Sequence, residues 1–90
     1  MTPDEIATKV RASVAFFLEL NRPETPAETA KFDAKPLKAR PLRDEQSDSI
    51  AASIRKKMRK EKKTFLLGSV EVQNQKLVAD LITLVQGRME

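Results

Sequence analysis

Residues 2–20 read Thr2-Pro3-Asp4-Glu5 and then IATKVRASVAFFLEL, and this stretch decides the fold class. The first four residues form a capping box. Thr2 is placed to cap, Pro3 fits the first helical position, and Glu5 sits three residues after the cap. Ile6, Val10, Val14, Phe17 and Leu18 then recur at helical spacing. Asn21-Arg22-Pro23 ends the helix, because the residue before a proline is pushed out of the α region. Phe16 and Leu20 widen the apolar face to an arc of about 200°, more than one neighbouring helix covers. Such a face calls for burial between two partners or in a homodimer interface.

Working outward, residues 21–43 hold Pro23, Pro26, Pro36 and Pro41, four of the five prolines. Thr25-Pro26-Ala27-Glu28 repeats the capping pattern of Thr2 to Glu5 and predicts a short helix over about 26–33, with Phe32 facing inward. Capping chemistry alone selects the shared residues, so they do not require an internal repeat. Residues 34–43 (AKPLKARPLR) read as an extended basic connector.

A second long helix is expected from Asp44 to about Lys63. Asp44, Glu45 and Asp48 lie at its start, where the helix dipole favours negative charge. That placement explains them better than metal binding does. Ile50, Ile54 and Met58 form its apolar stripe, with Ala51 alongside. Residues 64–73 admit two readings. In the preferred one, Thr64–Leu67 and Val70–Gln73 pair as a β-hairpin around Gly68-Ser69. In the other, the second helix continues to Leu67, Gly68 closes it and Ser69 caps the next. A last helix follows, capped by Asn74 and stopped at Gly87-Arg88. Its face of Leu77, Val78, Leu81, Ile82, Leu84 and Val85 spans about 160°. The expected fold is therefore a mostly α domain of three to four helices, with one short hairpin near 64–73.

The 90-residue length suits a single small domain with a modest core, residues 1–90, interrupted by the Pro-rich connector at 21–43. The chain has no Cys and no His, which removes disulfides, thiolate metal sites, Cys nucleophiles and the commonest general base. Its only glycines, Gly68 and Gly87, form no phosphate loop. No catalytic residue, metal ligand, cofactor or small-molecule substrate is expected. The apolar run Val14–Leu18 is too short for a secretory or membrane-spanning segment, so a soluble, cytoplasmic protein is expected without membrane contact.

Charge is the functional signal. The formal net charge is +4, and residues 35–63 alone carry +7, against −2 in residues 1–34 and −1 in residues 64–90. Arg55, Lys56, Lys57, Arg59, Lys60, Lys62 and Lys63 make seven of nine consecutive residues basic, with Glu61 the one acid. On a helix they would cover about 220° of the surface. Lys38, Arg40 and Arg43 add charge upstream. Such crowding fits a phosphate-bearing partner, since binding releases condensed counterions. An acidic protein or a merely solvated face are the competing explanations. With no Tyr or Trp, stacking on single strands is not expected. A winged-helix arrangement would need the 64–73 hairpin as its wing. A ribbon-helix-helix arrangement would need residues 36–43 as a strand, where Pro41 removes a ladder donor. The expected function is a small regulatory or accessory protein binding nucleic acid, DNA or RNA, through these cations. The alternative is a helical adaptor or inhibitor that docks on a protein through exposed apolar residues around Phe16, Leu20 and Leu66.

Overall fold

A computed structural model describes residues 1–37 and 43–90. The order is α1 (Pro3–Phe17), α2 (Pro26–Asp33), α3 (Asp44–Met58), α4 (Ser69–Gln73) and α5 (Val78–Met89). The mostly α class holds, with five helices and no strand among the described residues. The extra elements beyond three are the two short ones, α2 and α4.

Both Thr caps form. The Thr2 hydroxyl accepts the Glu5 N–H at 3.2 Å, and the Thr25 hydroxyl accepts the Glu28 N–H at 3.1 Å. The other three helices start from the reverse half of the same device. Gln46, Glu71 and Asp80 reach back to accept the N–H of Arg43, Gly68 and Leu77. Each bond satisfies a backbone donor that the first turn leaves without a partner.

Helix α1 packs between α3 and α5, which accounts within the chain for the width of its apolar arc. Ile6, Ala7, Val10, Val14 and Ala15 are buried there, against Ile50, Ala51, Ile54 and Met58 of α3 and Val78, Leu81, Ile82 and Val85 of α5 in one core. Phe16 is the exception to that arc: it is 72% exposed, with its ring edge-on to Phe17. Phe32 and Leu37 carry α2 and the start of the connector into the core. The Arg11 guanidinium grips both carboxylate oxygens of Asp33, at 2.8 and 2.7 Å, tying α2 to α1.

Three sequence expectations are corrected. The hairpin over 64–73 is absent. Residues 65–67 have no regular secondary structure, and α4 begins at Ser69 with Gly68 as its N-cap. The single β-bridge joins Pro36 to Leu77 instead. Leu37 N–H donates to the Lys76 carbonyl at 2.9 Å, and Val78 N–H to the Lys35 carbonyl at 3.1 Å. The second long helix ends at Met58, not near Lys63, and the chain turns over 59–61. The last helix starts from Leu77, Asn74 closes α4 instead, and Gly87 lies inside α5 rather than stopping it. Without the hairpin there is no wing, so the winged-helix arrangement is not formed.

Candidate nucleic-acid interface

The seven cations of residues 55–63 divide by what their side chains do. Lys56 lies opposite the Ile50/Ile54/Met58 stripe on the helical wheel and is exposed. Arg55 and Lys57 flank that stripe on its two sides. On one flank, Arg55 Nη1 donates to the Leu67 carbonyl at 2.6 Å. Arg59, which closes α3, donates through Nε to the Phe65 carbonyl at 2.9 Å. Arg88 of α5 donates to the intervening Leu66 carbonyl at 3.1 Å and pairs with Glu71. Three guanidiniums thus hold three consecutive carbonyls, and Phe65 and Leu67 point inward while Leu66 is 69% exposed. This is the period-two alternation of a strand. The hydrogen-bonding partner is a set of arginines in place of a second strand.

On the other flank, Lys57 Nζ donates to the Ser13 hydroxyl at 2.8 Å and lies 3.4 Å from the Lys9 carbonyl, both on α1. Ser13 also meets Ser53 at 2.9 Å. Lys9 and Ser13 are one turn apart on α1, as Ser53 and Lys57 are on α3, so the four line the polar rim of that helix pair. Burial, joined by the like charges of Arg22 and Lys9, pushes the Lys57 ammonium below its ordinary pKa of 10.5. Lys62 turns back to the carbonyls of Arg88 at 2.6 Å and Glu90 at 3.4 Å.

Arg55, Lys57, Arg59 and Lys62 therefore have structural partners, and none of these is a side-chain carboxylate. None of the seven cations is in an ion pair among the described residues. Glu61, the acid within the run, meets the Met1 ammonium at 2.8 Å instead. Lys56, Lys60 and Lys63 are exposed and make no side-chain hydrogen bond among the described residues, and Arg43 is exposed at the start of α3. Lys38 and Arg40 lie outside the described residues.

The chain matches no family model, no curated protein and no solved structure.

Of the apolar residues singled out as a protein-docking surface, Phe16 and Leu66 are exposed, whereas Leu20 is half-buried against the core. Val70, which the sequence reading missed, is also exposed, four residues after Leu66 in α4. Its alternation with Val72 suggested a strand face, and only the helical geometry of α4 turns Val72 inward and Val70 out. Among the described residues, no group of three Asp or Glu side chains could hold a metal ion, and no helix is long and apolar enough to cross a membrane.

Proposed function

We propose that this protein is a small accessory or regulatory factor that binds nucleic acid through its sugar–phosphate backbone, using the basic segment 55–63. The observation that carries this reading is that seven closely spaced cations have no side-chain carboxylate partner among the described residues. A cation bonded to a neutral carbonyl keeps its full charge, so the internal bonds shape the surface without quenching it. Lys56, Lys60 and Lys63 supply the direct phosphate contacts, with Arg43 at the other end of α3. Arg55, Lys57, Arg59 and Lys62 add potential and hold the surrounding backbone. No catalytic step is part of this reading.

Fluorescence anisotropy with labelled duplex DNA, an RNA hairpin and heparin, at two ionic strengths, tests it. Binding should weaken steeply with salt, by about 0.9 in the logarithmic slope per phosphate neutralised on duplex DNA. Lys56→Glu with Lys60→Glu should abolish it. Equal weak binding to all three polyanions would reduce the basic segment to an unspecific surface.

A second reading draws on Phe16 and Leu66, which are large, apolar and exposed. In it, the protein is a helical adaptor, or pairs with a second copy, through those residues, with the basic segment steering the encounter. Phe16→Asp would then remove partner binding, and nucleic-acid affinity would be negligible throughout.

A further inference from the structure

The outward face of α3 is acidic at one end and basic at the other. Glu45, Asp48, Ala52, Lys56 and Arg59 are all exposed, opposite the buried Ile50, Ile54 and Met58. At 3.6 residues per turn the five fall within an arc of about 80°. Acid and base on this stripe cannot meet within one chain. Asp48 and Lys56 are eight residues apart, about 12 Å along the axis, whereas helical neighbours pair at three or four residues. Glu45, Asp48, Lys56 and Arg59 have no ion pair among the described residues. Arg59 donates through Nε to the neutral Phe65 carbonyl and keeps its charge.

The charges are placed symmetrically about Ala52. Asp48 and Lys56 stand four residues either side of it, and Glu45 and Arg59 seven residues either side. When a second α3 lies antiparallel across Ala52, Asp48 comes level with the partner's Lys56 and Glu45 with the partner's Arg59, and the two-fold axis repeats both pairs. A parallel arrangement sets like charge against like. Alanine at the crossing point allows the axes to approach to about 8 Å, the near end of the helix-packing range, within reach of long charged side chains. We infer that this protein forms a homodimer through antiparallel pairing of the outer faces of α3, the second copy supplying the opposite charges that each stripe lacks. This inference does not rest on the nucleic-acid reading or on the exposed Phe16 and Leu66. Lys60 and Lys63 lie beyond the stripe and stay open to a phosphate. Lys56 faces either a phosphate or the partner subunit, so the two associations compete for it.

Sedimentation equilibrium of the full chain, without nucleic acid, tests it up to about 1 mM protein and at about 50 and 500 mM salt. At low salt the average mass should rise from the 10.1 kDa of one chain toward twice that value, and at high salt it should fall back as the pairs are screened. Asp48→Lys and Lys56→Asp each turn two attractions into repulsions, and each alone should raise the dimer Kd by about tenfold or more. Mixed in equal amounts, the two variants should pair with each other, because every facing pair is again opposite in charge while both chains remain net positive. Thermal melts establish that each variant is folded. A mass of 10.1 kDa for the unaltered protein at about 1 mM and low salt overturns the inference. So does a dimer that survives both single variants, which places the contact on another surface such as that of Phe16 and Leu66. Loss of association in both variants without recovery in the mixture overturns the antiparallel pairing. None of these outcomes depends on whether the protein binds nucleic acid.

Discussion

Arg55 and Leu67, twelve residues apart, are joined by a 2.6 Å hydrogen bond from the guanidinium to the backbone carbonyl. With Arg59 on Phe65 and Arg88 on Leu66, it holds a segment that has no partner strand. A single hydrogen bond from a charged group contributes about 1.5–3 kcal/mol when partly shielded from water. Arg55→Ala should therefore lower stability by about 1–2 kcal/mol in urea unfolding. Amide exchange should quicken over residues 65–68 before it does so in α1 or α5. Uniform loss of protection across the chain would show that the contact has no local role.

The in–out–in order of residues 65–67 makes a sharper test. Phe65 is buried and Leu66 is exposed. Phe65→Ala should cost about 3–5 kcal/mol, because the removed ring leaves a cavity. Leu66→Ala should change stability by no more than about 0.5 kcal/mol, as surface substitutions do. Similar costs at the two positions would contradict the register described here.

Gly87 lies within α5, and a Cβ built there meets nothing within 4 Å. Replacing a helical glycine by alanine removes backbone freedom from the unfolded chain at no steric cost. Gly87→Ala should raise stability by about 0.5–1 kcal/mol, read as a higher melting temperature. A lower melting temperature would mean that α5 ends before this residue, as its Gly-Arg sequence suggested.

The Lys57 ammonium, depressed chiefly by burial, gives stability a pH dependence of known sign. Between its folded pKa and the ordinary 10.5 the unfolded chain binds the extra proton, so stability rises with pH across that window. Below the folded pKa the cost of burying the charge is fully present. Lys57→Met keeps the aliphatic stem and removes the titration. Urea unfolding from about pH 8 upward should show the unaltered protein gaining on the variant as pH approaches 10.5. Parallel curves would place the ammonium in a water-like setting.

The sequence by itself determined what depends on neighbours three or four residues away. The Thr2 and Thr25 caps, the Ile6/Val10/Val14 and Ile50/Ile54/Met58 stripes and the Phe32 anchor are of this kind, and all are found in the structure. The crowding of Lys and Arg at 55–63 was equally plain, since it is a count along the chain. Only the tertiary structure decided which of those cations are turned inward. Arg55, Lys57, Arg59 and Lys62 find carbonyl or hydroxyl partners 6 to 48 residues away, on segments that a local pattern does not bring together. The same long-range bonds decided the fate of residues 65–67. Backbone carbonyls away from a helix need donors, and here side-chain guanidiniums supply them where a second strand would otherwise do so. The contact of Lys57 with Ser13 is likewise a product of packing, because α1 and α3 are brought side by side by their apolar faces and the polar groups at the rim follow.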